Sequence, residues 1–317
     1  MIKDVNVYGV KNRDKTVIEK SSSGGVIHEI VKYFINQQDI VCAASYDYDA
    51  LTLKFKYIES LDDIDCIKGS KYIQARTEGL YKSIEEALST YENKNILFIG
   101  LPCQCFAVKQ YLEIKNISTE RVYFIDIICH GVGNEEFLKY FIKKAENKIT
   151  YINFKDKRRG WLLPYSLMKD CDGNEFSLDD YMTLYNKSLI IRPSCYNCKF
   201  SNLNRQGDIT VGDFWNINNV NKDFSDSLGV SSILINSDKG KKIFLSVKEN
   251  FEFFESNIKD VMQPNLINPT QKPSLRDAFW KDFRKGEFKY VINKYASKNL
   301  KNKIKRYILV RLKIWKV

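Results

Sequence analysis

Apolar residues recur with two different periods along the first half of the chain. Val26, Ile27, Ile30, Val31, Phe34 and Ile35 follow the polar run Ser21–Gly25. This spacing predicts a helix opened by a Ser/Gly loop. Ile96–Ile99 is instead a short unbroken apolar run, the signature of a strand buried on both faces, and Val122–Cys129 is a second one. Asn6–Val10, Ile40–Tyr46 and Leu53–Ile58 read as further strands, the last two paired across the turn at Asp47–Asp49. Ser83–Tyr91 reads as a helix, and another runs from Leu101–Cys105 to about Leu112. Asn134 caps a helix with Glu135 and Glu136 in its first turn and Lys143 and Lys144 in its last, which suits the helix dipole.

Beyond Tyr151 the pattern shortens. Tyr151–Phe154, Leu163–Lys169 and Glu175–Ser177 are short strands, the last two joined around Asp172-Gly173-Asn174. Asp208–Asp213 and Ser231–Asn236 are strands, and Gly240–Asn250 is a helix. The expected fold class is α/β, with a central mixed sheet, flanking helices and an irregular second half.

The 317 residues are 44% hydrophobic and 28% charged, which excludes a disordered chain. No signal peptide or membrane-length apolar run is visible, so the expected location is the cytoplasm. The net charge is +11, and ten Lys or Arg with no acidic residue lie in 288–317, leaving +1 for the other 287 residues. A generally basic, nucleic-acid-binding body is excluded. In the tail, Ile304, Ile308, Leu312 and Trp315 recur at helical spacing, with Lys301, Lys303, Lys305, Arg306, Lys313 and Lys316 elsewhere on the wheel. Such a basic helix suits an anionic membrane surface, which would make the protein peripheral at the inner face, or docks on its own domain.

Eight cysteines in a chain expected in a reducing compartment point to metal binding or catalysis rather than disulfides. Cys195-Tyr196-Asn197-Cys198 can bring two thiolates to one metal or cluster. Cys103 and Cys129 each lie just past the end of an apolar strand, where open α/β sheets place their binding loops. Together the four are the complement of a 4Fe-4S cluster, although Cys105 could replace Cys103 and the same thiols could hold zinc. Cys42, Cys66 and Cys171 fall outside this set. A Cys103 nucleophile aided by His130 is a third reading. Ser21–Gly25 is either a phosphate cradle at a helix start or a plain N-terminal loop. Lys155–Trp161 is either an anion-binding loop or a solvated turn.

Seven motifs appear in order: Ser21–Gly25, Gly69–Gln74, Gly100–Gln104, Cys129–Gly131, Lys157–Trp161, Arg192–Cys198 and Asp208–Trp215. Together they resemble the beta-subunit family of coenzyme F420 hydrogenases and dehydrogenases, which also includes 7-hydroxymethyl chlorophyll a reductase. The resemblance spans roughly Val5 to Ile235. It implies an oxidoreductase with FAD and a 4Fe-4S cluster, the cluster on Cys103, Cys129, Cys195 and Cys198. It places Ser22, Ser23, Gly24 and Gly25 at the flavin, with Ser70, Lys71, Tyr72 and Gln74. Gly100, Pro102 and Gln104 join them, as do His130, Gly131, Lys157, Trp161 and Asp213.

On this reading 1–90 is a flavin-site region, 91–265 carries the cluster and further flavin contacts, and 266–317 is a helical basic tail. Many family members begin with a ferredoxin-like segment, whereas here no cysteine precedes Cys42. One cluster and an external carrier such as ferredoxin are therefore expected. Asn216 stands where the family pattern has Gly. The chain resembles a short bacterial branch associated with surface-polysaccharide synthesis, so a small-molecule or glycan-related substrate is expected and need not be the deazaflavin coenzyme.

Overall fold

A computed structural model describes residues 5–286 and 288–296. They form two units with interleaved segments. The first holds the described residues up to Gly69, with Ala75–His130 and Cys198–Pro269. The second holds Ser70–Gln74, Gly131–Asn197 and the described residues from Thr270 onward.

The first unit is built on strands β1 (Asn6–Asn12), β2 (Ile40–Asp47), β3 (Thr52–Ile58), β4 (Ile96–Gly100) and β5 (Val122–Ile127), with β9 (Ile209–Asp213), β10 (Ser231–Ile235) and β11 (Phe251–Ser256). They form one sheet in the order β11-β1-β10-β9-β5-β4-β2-β3. Strands β2, β4, β5 and β9 are mutually parallel, β10 is antiparallel to β9, and β1 is antiparallel to β10. Strand β1 therefore runs in the same sense as the parallel four. The carboxyl ends of five strands, at Asn12, Asp47, Gly100, Ile127 and Asp213, lie along one edge of the sheet.

The unbroken apolar run of β4 has a direct cause. Leu97 and Ile99 pack in one core with Ile30, Val31 and Phe34 of helix α2 (Val26–Asn36). Ile96 and Phe98 pack in another with helices α3 (Leu80–Thr90) and α4 (Pro102–Ile114). Alternate residues of a strand point to opposite faces, so a sheet covered on both sides needs apolar residues at every position. Burial of Phe98 alone is worth about 1.5–3 kcal/mol. Strand β10 is followed by helix α7 (Asp238–Val247), whose Ile243, Phe244 and Val247 join the first core.

The second unit carries an antiparallel sheet of β6 (Ile149–Asp156), β7 (Tyr165–Asp170) and β8 (Glu175–Ser177). Gly173 supplies the left-handed turn between the last two, and the Asp170 carboxylate accepts from the Asp172 and Asn174 amides. Helices α5 (Glu135–Ile142), α6 (Asp179–Asn186) and α8 (Arg276–Arg284) surround an aromatic core in which Phe137 lies 5.7 Å from Phe279 and 6.3 Å from Tyr181.

The mixed sheet with flanking helices is the fold class expected from the sequence. Asn134 caps α5, accepting from the Phe137 amide at 2.8 Å. Three details differ. Helix α3 starts at Leu80 rather than Ser83, because Gly79 adopts the left-handed conformation that opens it. Strand β5 ends at Ile127, before Cys129. Strand β11 was not anticipated: Phe253 and Phe254 are consecutive and break its alternation on an edge strand. Helices α1 (Lys15–Lys20) and α6 were also not anticipated, whereas α8 falls in the segment 266–317 that was expected to be helical. The tail helix proposed over Lys301–Lys316 lies outside the described residues.

Candidate functional site

In the first unit Gly100 and Asp126 are register partners on the adjacent parallel strands β4 and β5. Cys103 and Cys129 each lie three residues further along the chain, Cys103 in the helix that follows β4 and Cys129 in the segment that follows β5. Cys103 is exposed in the first turn of α4, and Cys129 is half-buried. The turn that delivers Cys103 is locally determined. Pro102 opens the helix with its fixed φ, and the buried Gln104 side chain accepts from the Leu101 amide at 2.8 Å. A Cβ on Gly100 would come within 2.8 Å of the Phe98 ring. Gly100, Pro102 and Gln104 therefore have structural work in shaping this turn.

Cys198 opens the next segment of the same unit. Two residues later, the Phe200 ring lies 5.2 Å from Phe106 on α4, and the Lys109 ammonium donates to the Gln206 carbonyl at 2.6 Å. The loop after Cys198 is thus attached to the helix that carries Cys103.

Cys105 is placed differently from Cys103. Its thiol is fully buried, contacts the Ile125 carbonyl at 3.7 Å, and packs in the core with Phe98 and Phe124. Burial, and then the Asp126 carboxylate, push this thiol well above its ordinary pKa. A metal ligand must be a thiolate, so this environment opposes ligation. Burial likewise pushes the Cys42 thiol up to about 12.

The Ser/Gly loop lies at the same edge, at the end of β1. Ser23 Oγ donates to the Val230 carbonyl at 2.9 Å, and the Gly24 amide donates to Ser231 Oγ at 2.9 Å. The Asn12 amide donates to the Gly24 carbonyl at 2.8 Å. A Cβ on Gly24 would sit 2.3 Å from the Val10 carbonyl oxygen, so close backbone packing requires the glycine. Gly25 adopts the left-handed conformation and opens α2 with no side-chain cap. Ser22 lies in the same loop. On β9, which is separated from β1 by β10, Asp213 is the last residue, and two positions later Trp215 stacks on His130 with centroids 4.9 Å apart.

In the second unit, the Gly133 amide donates to the Tyr72 carbonyl at 3.1 Å, and Tyr181 Oη donates to the same oxygen at 3.0 Å. The Tyr72 ring packs against Tyr185 and Phe154, two residues beyond Ser70 and one beyond Lys71. Gln74 accepts from Arg192 at 2.6 Å. Gly131, at φ +111°, faces the Cys195 segment: a Cβ there would lie 3.3 Å from the Cys195 Cβ. Gly131 thus packs against the Cys195 segment inside the second unit. The Arg192 amide donates to the Val132 carbonyl at 2.9 Å and holds that approach. Lys157 and Trp161 are both buried in the loop between β6 and β7. The Trp161 indole N–H is buried with no hydrogen-bond acceptor among the described residues.

Among the described residues no group of three or more His, Cys, Asp or Glu is arranged to hold a single metal ion. Cys103, Cys129 and Cys198 in the first unit and Cys195 in the second are each exposed or half-buried thiols, and thiolate sulfur is the donor chemistry of an iron–sulfur cluster. Sequence reasoning missed Asp126 and Arg205, which pair at 3.1 Å beneath this edge. The available signal was Asp126 itself, an acid inside an apolar strand.

The family model for the C-terminal part of the coenzyme F420 hydrogenase/dehydrogenase beta subunit matches residues 93–260, more than half of the chain. None of the curated proteins matches. Among solved structures, a chain of the F420-reducing NiFe hydrogenase complex from Methanosarcina barkeri is similar, with a TM-score of 0.55 and 18% identity. The likeness covers 82% of this chain and 84% of that one, and shows a shared fold. No helix among the described residues is long and apolar enough to cross a membrane. The chain belongs to the coenzyme F420 hydrogenase/dehydrogenase beta-subunit family, a family of oxidoreductase subunits.

Proposed function

We propose that the protein is an iron–sulfur flavoprotein that passes electrons between an external carrier such as ferredoxin and an organic substrate. The observation that carries this reading is the matched placement of Cys103 and Cys129, each three residues past register partners on adjacent parallel strands. The attachment of the Cys198 loop to the Cys103 helix supports it. Cys195 is joined to Cys198 by only two residues and completes the set. Cys103, rather than the buried Cys105, is the ligand from α4.

A 4Fe-4S cluster moves one electron at a time and FAD exchanges single electrons or hydride, which is the chemistry such a pair supplies. The protein's own contributions are binding and orientation. The four cysteines bind as thiolates and release their protons on loading. The Trp161 N–H is a donor in want of an acceptor, and with the buried Lys157 it suits an anionic or carbonyl-bearing cofactor. The proposed flavin residues are Ser22–Gly25, Ser70–Tyr72, Gln74, Gly100, Pro102, Gln104, His130, Gly131, Lys157, Trp161 and Asp213. The resemblance to the polysaccharide-associated branch supports a glycan-related substrate, and the basic tail supports a peripheral position at the membrane.

Anaerobic purification followed by a visible spectrum and assays of iron, sulfide and flavin tests the reading. Brown protein with about four irons per chain and bound FAD is expected. Cys103→Ser should lose the iron and Cys105→Ser should keep it. Colourless or zinc-loaded wild-type protein would reject the proposal.

A further inference from the structure

The Asp126 and Arg205 side chains are 0% and 2% exposed, with the guanidinium nitrogen 3.1 Å from the carboxylate. Every strong donor around that carboxylate comes from one loop. Its Oδ1 accepts from Arg205, and its Oδ2 accepts from the Gln206 amide at 2.8 Å and the Gly207 amide at 3.0 Å. The guanidinium in turn is held on its other side by the same loop. It donates to the carbonyls of Phe200 at 3.3 Å and Asn202 at 3.2 Å, and its Nε donates at 3.2 Å to Thr210 Oγ1 on β9, just after the loop. Arg205 thus gathers the chain from Phe200 to Thr210 and anchors it to a single acid on β5.

The position of the anchor matters as much as its strength. Asp126 lies three residues before Cys129 and opposite Gly100, which lies three residues before Cys103. Phe200, whose carbonyl Arg205 grips, lies two residues after Cys198. The pair therefore ties the segment that carries Cys198 to one strand, β5, whose end leads to Cys129 and which pairs with β4, whose end leads to Cys103. A buried charge needs a compelling partner, because desolvation of each ion is costly. An isolated structural loop could have been fastened by apolar packing. The ion pair adds directionality, since a planar guanidinium accepts only a narrow set of loop conformations.

From this geometry we infer that Asp126 and Arg205 are positioning residues for Cys198, holding its loop in the conformation that presents the thiol to the site. The inference rests on the iron–sulfur reading for its consequence, but not for its structural core. Neither side chain is a ligand; both act through the loop.

The test compares wild type, Arg205→Lys and Arg205→Gln, each as full-length protein prepared anaerobically and, separately, stripped of metal. The first readout needs no metal: hydrogen exchange of residues 199–207 and alkylation of Cys198 in the stripped protein, with β4 amides as the reference. Arg205→Gln should raise both rates at least tenfold while β4 stays protected, and Arg205→Lys should fall between it and wild type. The second readout is iron retention after a fixed chelator challenge, which Arg205→Gln should reduce to less than half of wild type. If β4 protection is lost with the rest, Asp126→Asn replaces Arg205→Gln; it removes the charge and keeps one accepting oxygen for the Gln206 and Gly207 amides, while its NH2 can no longer accept from Arg205. Unchanged exchange and alkylation would overturn the fastening. Faster exchange with full iron retention would overturn the positioning role. Wild-type protein without iron or sulfide would sink the iron–sulfur reading instead, and the alkylation of Cys198 would then decide the positioning alone.

Discussion

Two arginine–carboxylate clusters occupy very different places in this protein. In the first unit, Arg205 and Asp126 are sealed under the carboxyl edge of the large sheet, and four backbone groups of the loop converge on them. In the second, Arg158 meets Asp156 at 2.8 Å and Glu175 at 2.7 Å on the small sheet, with its side chain 42% exposed. Lys169 adds a third cation-to-acid contact there, 3.0 Å from Glu175. The exposed cluster has the more complete pairing on paper. Water already solvates its members, so pairing gains little over hydration. The buried pair has no such fallback, and loss of either member strands the other in the core. Burial rather than the number of contacts therefore sets what each cluster is worth, and only the buried one can hold a loop in place.

The largest effect should come from breaking the buried pair. Arg205→Met leaves Asp126 without its counter-ion, and unfolding in urea should show a loss of about 3–5 kcal/mol. The same edge should resist added volume. Gly24→Ala drives a methyl into the Val10 carbonyl, and the same measurement should show a loss of about 1–3 kcal/mol. The double change Asp126→Leu with Arg205→Met sharpens the argument. Removing both charges should return stability to within about 2 kcal/mol of wild type. A double variant as unstable as Arg205→Met would show that the pair itself, and not the stranded charge, carries the energy.

The smallest effect belongs to the exposed cluster. Hydrogen bonds from Arg158 and then Lys169 hold the Glu175 carboxyl at about 2, below its ordinary 4.5. A depressed carboxyl contributes its stabilisation in full above the ordinary value and loses it as pH falls from 4.5 toward 2. Glu175→Gln should thus lower the melting temperature by no more than about 2 °C at pH 7, and the difference should shrink as pH falls below 4.5 and vanish only below about pH 2. A shift as large as that of Arg205→Met would erase the distinction between the two clusters.

Much of the first unit was legible in the chain. Leu97–Ile99 announced a strand covered on both faces because every position there is buried. Asn134 announced its helix because capping is a local reaction between a side chain and the amide three residues on. The candidate thiols were found by the same local logic, since strand ends can be located from the apolar runs that precede them. Other features were not legible. Strand β11 is held by pairing with β1, some 240 residues away in sequence, and its own pattern is ambiguous. The close approach of the Val10 carbonyl to Gly24, which by itself requires a glycine in the Ser/Gly loop, was not legible either. Cys103 was the expected ligand and Cys105 its alternative, with nothing in the pattern to show how each side chain is placed. Helix geometry turns one outward and the other into the core, because residues two apart on a helix face different ways.

What the sequence by itself determined was the set of elements and the chemistry available at their ends: buried strands, a capped helix, and thiols placed just beyond apolar runs. Those properties depend on neighbours within a few residues, so one-dimensional pattern carries them. The tertiary structure alone decided which ends share an edge, which cysteine is accessible, and which charge is paired. The pairing of Asp126 with Arg205 spans 79 residues. Nothing local distinguishes either residue's partner, because the desolvation that makes the pair matter exists only once the sheet and the loop have closed around it.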